Sequence, residues 1–463
     1  MPDGPARPMK FPMNLPAPGD TIAAIATPPG RGGIAVVRLS GPATTDIAHR
    51  LLGRIPSPRR AIRARFTDRA GTGIDDGLAL RFEAPNSFTG EDVLELQGHG
   101  GVVVARMVLE RVCELGARPA GPGEFTLRAF LNDRIDLAQS EAIADLIDGA
   151  STAAVRCAQR SLSGEFSRTV ESHCDTLVEL RAFIEAAIDF PDEELDLLGT
   201  PETAARLEAL HTAVARTLAE SHRGAVLRSG VKLVIAGAPN VGKSSLLNRL
   251  ARIDSAIVTD VPGTTRDVVR ERVVIAGIPF DVHDTAGLRE TSDPVERIGV
   301  ERATDAIDDA DLILVVVDDR DAVHGPLPHP SDVAYGRILV RNKIDLSGAA
   351  PGVGTDAEGI STVRVSALDG SGLTALEEAI VARVMRGAGV CEDAFMARRR
   401  HLDGLERALA ALDRARNRLS VDNAGELVAE ELREAQVALG AITGEFATED
   451  LLAQIFSSFC IGK

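Results

Sequence analysis

Apolar positions along the 463-residue chain change their spacing three times. From about Asp20 to Arg134, short β-rich runs such as Ile34 to Leu39 and Val93 to Leu96 are separated by glycine turns, which predicts an α+β domain. After Asp136 the spacing becomes helical, with Leu177, Leu180, Ile184 and Ile188 on one face. Near Ser229 it gives way to alternating strands and helices. After about Val390 helical spacing returns through Leu402, Leu405, Leu409, Leu412 and Leu419, a stripe near a/d spacing that reads as packed core and carries no chemistry. The pattern divides the chain into residues 1–19, 20–135, 136–228, 229–388 and 389–463. The simplest architecture inserts 229–388 into one helical domain built from both flanks. The expected fold class is multidomain α+β and α/β.

Composition narrows the function classes. The 51 basic and 68 acidic residues give a net charge of -17, which argues against coating nucleic acid by bulk electrostatics and leaves room for a local basic patch. The longest aliphatic run, Leu312 to Val317, falls far short of the roughly 20 apolar residues that span a bilayer, so no membrane anchor is expected. Residues 1–19 are proline-rich without a continuous apolar stretch and read as a disordered leader rather than a signal peptide, which points to the cytoplasm. Cys113, Cys157, Cys174, Cys391 and Cys460 form no Cys-x-x-Cys pair, as expected for reduced thiols without a zinc site. The glycine clusters Pro28 to Gly33 and Gly98 to Gly101 lack a Walker lysine and a full G-x-G-x-x-G, and read as tight turns.

The chemistry sits in 229–388. The apolar run Val231 to Ala236 leads directly into Gly237-Ala238-Pro239-Asn240-Val241-Gly242-Lys243-Ser244, a complete phosphate loop after a strand, followed by Ser245. Its glycines admit backbone N–H groups to the phosphates, Lys243 reaches the β and γ oxygens, and the Ser244 hydroxyl ligates Mg2+. Asp284-Thr285-Ala286-Gly287 follows the strand Pro279 to His283, where Asp284 reaches magnesium through water and Gly287 senses the γ-phosphate. Leu339 to Asp345 ends a strand with Asn342-Lys343-x-Asp345, which resembles the guanine-reading motif of GTPases. The Asp345 carboxylate can accept from guanine N1–H and the 2-amino group, whereas adenine offers neither donor. Ser366-Ala367-Leu368, after Val363 to Val365, looks like the loop whose backbone meets the guanine carbonyl. Thr259 to Asp267 resembles a switch I loop with Thr265 as a second magnesium hydroxyl. Leu288 stands where many small GTPases carry the water-positioning Gln, so another group must orient the nucleophile. Asn240 with a long switch I resembles the potassium-dependent branch of GTPases, although it also reads as a structural loop amide.

Three further segments are more specific. They are Ala84 to Glu95, Phe130 to Gln139, and the terminal Phe459-Cys460-Ile461-Gly462-Lys463. With the GTPase motifs they resemble the MnmE/TrmE family of tRNA wobble-uridine modification GTPases, in the right order from about Asp20 to Lys463; Met13 lies nearer that family's usual start. The resemblance implies an N-terminal α+β domain (20–135) that binds tetrahydrofolate and forms a homodimer, an α-helical domain from two flanking segments, and an inserted Ras-like P-loop GTPase domain.

It further implies a flavoprotein partner, MnmG, carrying FAD and NADH. Together the two would add an aminomethyl or carboxymethylaminomethyl group at C5 of the wobble uridine of tRNA, with a tetrahydrofolate derivative supplying one carbon. By the same resemblance Arg38, Glu95, Arg134 and Lys463 fall at folate positions. Arg134 replaces the family's usual lysine, and a guanidinium is wider and less flexible in role. Asn240, Thr259, Val261 and Thr264 fall at K+ positions, and Glu296 where a carboxylate orients the attacking water beside Lys243 and Asp284. Cys460 falls at the family's terminal cysteine. A prenylation reading of the tail fails because Gly462 is not aliphatic and Lys463 is a poor terminal residue. Two alternatives stay open: a GTP-regulated ribosome-assembly or RNA-binding switch without modification chemistry, and a folate-binding scaffold timed by its nucleotide domain.

Overall fold

The structure is a computed structural model and describes residues 19–189, 200–253, 271–284, 307–321, 333–356, 359–385, 394–421, 425–445 and 448–462. Contacts divide the chain into two units, residues 1–144 with 440–463, and residues 145–439.

The first unit holds a six-stranded sheet of β1 (Ile22–Ile25), β2 (Ile34–Ser40), β3 (Ile62–Thr67), β4 (Gly73–Phe82), β5 (Val93–His99) and β6 (Arg118–Pro119). Their order is β3-β4-β5-β2-β1-β6, and only the β1–β6 pair is parallel. Strand period two assigns the faces. Val37, Leu39, Leu94 and Leu96 join a core with Ile47 and Leu51 of α1 (Thr44–Leu52) and Val108 and Val112 of α2 (Val102–Glu114). Arg38 and Glu95 therefore turn to the other face, where Ile22, Ala24 and Ala120 cluster with Phe125 of α3 (Glu124–Leu131). The tight turn expected at Gly98 to Gly101 needs correction. Gly98 and His99 end β5, and a side chain at Gly100 would lie 2.3 Å from Gly32 O, so this glycine permits a close backbone approach.

An ion cluster around the buried Arg128 knots this unit. Arg128, 3% exposed, donates to Asp20 Oδ1 at 2.5 Å, Glu91 Oε2 at 3.0 Å and Glu124 Oε1 at 3.3 Å. Arg118 donates to Asp20 Oδ2 at 2.6 Å and Glu124 Oε1 at 2.5 Å. Ser40 Oγ donates to Glu91 Oε2 at 2.7 Å, and Asn132 Nδ2 donates to Thr89 O at 2.7 Å, which pins the loop between β4 and β5.

The second unit begins within α4 (Leu137–Asp148) and continues through α5 (Thr152–Leu162), α6 (Glu165–Asp189) and α7 (Pro201–Ser229). A seven-stranded sheet follows, of β7 (Val231–Ala236), β8 (Glu271–Ile275), β9 (Ile278–Asp284), β10 (Leu312–Asp318), β11 (Arg337–Asn342), β12 (Gly352–Thr355) and β13 (Ser361–Arg364). Their order is β12-β13-β11-β10-β7-β9-β8, with β8 and β12 antiparallel to their neighbours and the rest parallel. Helices α8 (Lys243–Ile253), α9 (Ile344–Ser347) and α10 (Leu373–Val384) are interleaved with it. Because β7 lies between β9 and β10, strand order reverses at its carboxyl end, where open α/β sheets bind ligands.

After this sheet come α11 (Arg399–Val421) and α12 (Gly425–Thr443). In α11, Leu402, Leu405 and Leu412 are buried as the leucine stripe implies, but Leu409 and Leu419 are half-buried and Ala408, Ala411 and Ala415 take the innermost row. This helix packs along α7, and the small side chains of its inner row suit a close helix contact; the segment leading into it comes close as well, since a side chain on Gly224 of α7 would lie 1.7 Å from Phe395 O. Asp145, its side chain 5% exposed, accepts from Arg228 Nε at 2.9 Å and Arg398 Nη2 at 2.8 Å. Arg228 sits just before β7 and Arg398 just before α11, so one carboxylate holds both connections of the nucleotide-type sheet.

By contacts, residues 440–463 group with the first unit. The apolar face of α13 (Glu449–Ser457) explains this, since Leu452, Ile455 and Phe456 cover Leu127 and Leu137. Gly123 N–H donates to Cys460 O at 3.3 Å, and Gly462 (φ +98) lies so close to β1 that a Cβ would be 2.6 Å from Ile25 O. Among the described residues no helix is long and apolar enough to cross a membrane.

Burial raises the Glu124 carboxyl, and the hydrogen bonds of Arg118 and of Gly121 N–H outweigh it, holding the group below the ordinary carboxylate value; Asp20 behaves alike under Arg118 and Arg128. Carboxylates depressed in this way stabilise the fold above their unfolded pKa of about 4, and that stability is lost as pH falls through the folded value. Arg128→Met should therefore cost about 3–5 kcal/mol at neutral pH in urea unfolding, with the gap to the unaltered chain narrowing in acid. A gap of under about 1 kcal/mol would show the cluster to be structurally idle.

Candidate functional site

The phosphate loop takes its shape from neighbours that leave no room for side chains. A Cβ at Gly237 (φ +150) would lie 2.2 Å from Val316 O, and one at Gly242 (φ +97) 2.4 Å from Asn342 Nδ2, so both positions require glycine. Asn240 holds φ +64, a left-handed conformation that asparagine adopts more readily than most residues, which gives it a backbone reason beside any ligand role. Val241 is buried at 6% exposure, while Ser244 and Ser245 are exposed on the first turn of α8. Their hydroxyls thus stand at a helix N-terminus, where free N–H groups and the dipole attract an anion. Lys243 Nζ donates to Gly237 O at 2.8 Å and Ala238 O at 3.0 Å, which holds its ammonium against the loop. Two exposed hydroxyls and an ammonium suit a Mg2+-phosphate group, with Ser244 the residue that would hold the metal.

The base end is tied to the phosphate end by one side chain. Asn342 is 1% exposed; its Nδ2 donates to Val241 O at 2.8 Å and its Oδ1 accepts from Ala367 N–H at 2.9 Å. Ser366 Oγ donates to Asp345 Oδ1 at 2.7 Å, fixing the carboxylate and leaving its second oxygen without a partner among the described residues. Arg249 of α8 donates to Ala367 O at 3.2 Å and to Leu368 O. With Ala367 N–H taken by Asn342, Leu368, which is 74% exposed, offers the open backbone donor of this loop.

In the first unit, Arg38 and Glu95 are cross-strand partners of β2 and β5. Arg38 donates through Nε and Nη2 to Glu95 Oε1 at 3.1 and 3.0 Å, and its guanidinium lies 5.9 Å from the Phe125 ring centroid. Among the described residues Glu95 Oε2 has only Gln97 Nε2, at 3.5 Å, and so remains open to a ligand N–H. Arg134 is exposed, with its stem beside Gly90, and among the described residues no hydrogen bond or ion pair ties it to the Arg38–Glu95 pair. Cys460 is exposed, on the tail docked at Gly123 and Ile25. Thr259, Val261, Thr264, Thr265, Thr285, Ala286, Gly287, Glu296 and Lys463 lie outside the described residues, and Asp284 is described only as the last backbone position of β9.

The family model described as MnmE helical domain matches residues 137–460, and the one described as GTP-binding protein TrmE N-terminus matches residues 21–134. A relative from Chromohalobacter salexigens, named tRNA modification GTPase MnmE, is 53% identical over 96% of this chain and 98% of its own. The chain belongs to the MnmE family. A relative of the same name from Thiobacillus denitrificans is 51% identical over 97% of this chain and 99% of its own. Among solved structures, the G domain of the T. maritima FeoB iron transporter is 28% identical over 33% of this chain and 98% of that one, at a TM-score of 0.23.

In this MnmE-family chain the structure adds residues that the motifs did not single out. Asp318, at the end of β10 and directly beside Asn342 in register, accepts from Lys343 Nζ at 3.0 Å and from Arg320 Nη2 at 2.7 Å. The Arg320 hydrogen bonds, with those of Lys343, hold its carboxyl far below the ordinary range. Asp319 next to it binds Arg341 Nε at 2.7 Å and Ser347 Oγ at 2.5 Å, bracing the Lys343–Ser347 turn. The signal was present as two acids ending the strand next to the guanine-motif strand. Anchored in this way, the Lys343 stem is set beside the base loop, so Asp318→Asn should weaken GDP binding about tenfold, the worth of one charge-assisted bond. Fluorescent-GDP dissociation rates test this, and an unchanged rate would show that Lys343 needs no anchor.

Proposed function

We propose that the chain is the GTP-hydrolysing subunit of a tRNA modification complex, working with the flavoprotein MnmG, which carries FAD and NADH. On this reading the pair adds an aminomethyl or carboxymethylaminomethyl group at C5 of the wobble uridine. The observation that carries it is the Asn342 amide joining phosphate loop to base loop, with Asp345 fixed beside it, in a chain of the MnmE family. A carboxylate in that position selects guanine, because a base lacking paired donors would leave it unsatisfied.

Ser244 and Thr265 would hold Mg2+, and Asn240, Thr259, Val261 and Thr264 would hold K+, which would supply positive charge to stabilise the charge that develops on the phosphates. Glu296 orients the water that Leu288 cannot bind. The Arg38–Glu95 pair, with Arg134 and Lys463, binds a tetrahydrofolate derivative that supplies the one-carbon unit; the open Glu95 Oε2 beside a guanidinium suits a ring with N–H donors and an acceptor. The N-terminal domain of residues 20–135 forms a homodimer, 136–228 with 389–463 makes the helical domain, 229–388 the GTPase domain, and the protein works in the cytoplasm.

Steady-state GTP hydrolysis in potassium against sodium at matched ionic strength should show a large potassium stimulation. Equal slow rates would remove the K+ assignment and leave a plain GTP-binding switch. Glu296→Ala should lower kcat by at least about tenfold with GTP affinity nearly intact; loss of GTP affinity instead would move Glu296 into a structural role.

A further inference from the structure

A chain with a net charge of -17 can meet a polyanion only through a local excess of positive charge. Residues 54–69 supply one: six arginines stand there with a single acid, Asp68. The stretch follows α1 and runs along β3, an edge strand of the first sheet. Arg65 is spent on Asp76 at 3.1 Å. The other five arginines are exposed and form no ion pair among the described residues. Arg54 Nη2 donates to Arg63 O and Arg59 Nη2 to Asn86 O, each at 2.8 Å, so both meet neutral carbonyls and keep their charge uncompensated. The side chains of Arg60, Arg63 and Arg69 make no hydrogen bond or ion pair among the described residues. Over residues 54–86 seven arginines stand against four acids, and each acid is engaged: Asp76 by Arg65, Glu83 by Arg81 at 2.9 Å, Asp75 by His99 at 2.7 Å, and Asp68 by the N–H groups of Ala70 and Thr72.

We propose that this arginine edge binds the phosphate backbone of the tRNA on which the complex acts. The proposal rests on the tRNA reading above and names the surface of this chain that carries it. Uncommitted guanidinium forks match phosphate oxygens better than ammonium groups do. The one aromatic residue of the stretch, Phe66, is buried, so the edge offers no platform for stacked bases and suits the backbone rather than the sequence of an RNA. Charges on an edge strand also discourage pairing with another strand, but Arg54, Arg59, Arg60 and Arg69 lie outside β3, where that purpose does not need them. A second copy of the chain laid on this edge would set arginine against arginine. Strand alternation decides which side the charge faces. Ala64 and Phe66 enter the core, whereas Arg63 pairs with Leu78 and Leu78 with Gln97, on the face that carries Arg38 and Glu95. Three strand spacings separate β3 from β2, about 14 Å, so a backbone held on the edge runs alongside the Arg38–Glu95 pair.

The test is equilibrium tRNA binding by the full chain across a salt series, for the unaltered protein, the double variant Arg60→Gln with Arg63→Gln, Arg63→Lys and Arg63→Glu. Neither side chain holds a bond among the described residues, so the fold is kept, and an unshifted melting temperature with unchanged GTP hydrolysis verifies it. Each phosphate bound releases counterions, which gives the contact a salt dependence that a structural role would not produce. The expected result is a slope smaller by about two for the double variant, an unchanged slope for Arg63→Lys, and roughly tenfold weaker binding for Arg63→Glu. Affinities and slopes equal to those of the unaltered chain in every variant would overturn the arginine edge while leaving the tRNA reading intact. Unchanged tRNA binding with loss of self-association in light scattering, or with loss of the flavoprotein partner, would also overturn it by assigning the edge to a protein surface. If the unaltered chain itself binds no tRNA, the tRNA reading falls, and the edge with it.

Discussion

A buried carboxylate, Asp145, constrains the second unit more than any apolar contact does. A lone ionised carboxylate taken out of water costs several kcal/mol, so it persists only with its partners in place. Those partners, Arg228 and Arg398, stand just before the first strand of the nucleotide-type sheet and just before the helix that follows it. The two connections of an inserted domain are thereby held to one point. Hydrophobic packing could bring them near each other, but only a charge with two donors makes the loss of either one expensive.

The same device recurs wherever function is placed. Asn342 spends both halves of its amide on two loops remote in sequence, and Glu91 is held by Ser40 and Arg128 so that the loop beside Arg134 keeps its course. Apolar cores here set which elements pack, while buried polar groups held by specific partners set where a loop ends. A loop that must present backbone N–H groups to a phosphate cannot be positioned by leucines.

How legible this was from the chain follows from the range of each interaction. The phosphate loop, the Asn342–Asp345 motif and the central strands are local signals, in which spacing and side-chain type suffice. Arg38 and Glu95 came from a resemblance, and strand alternation explains why they meet, since each is flanked by core residues that force it to the other face. The alanine row of α11 and the docking of Gly462 on Ile25 were not legible, and Asp318 showed only as an acid ending a strand. Asp318 matters because β10 neighbours β11, and alanines mark contact only once the helix partner is known. The tail of residues 440–463 looks helical whichever unit it packs on.

Gly462 against Ile25 means that the first sheet is closed by residues more than 400 positions further along the chain. During synthesis the stretch between Ala144 and Gly440 takes roughly 15–60 s to emerge at about 5–20 residues per second. Throughout that interval β1 and α3 lack their cover, so the N-terminal unit waits half-built for residues 452–462. A chain broken off early, even with an intact nucleotide site, would leave Leu127 and Leu137 bare to water. Synthesis through Gly462 is thus written into the packing of the first domain, and a product broken off before α13 would present its bare core to chaperones and proteases.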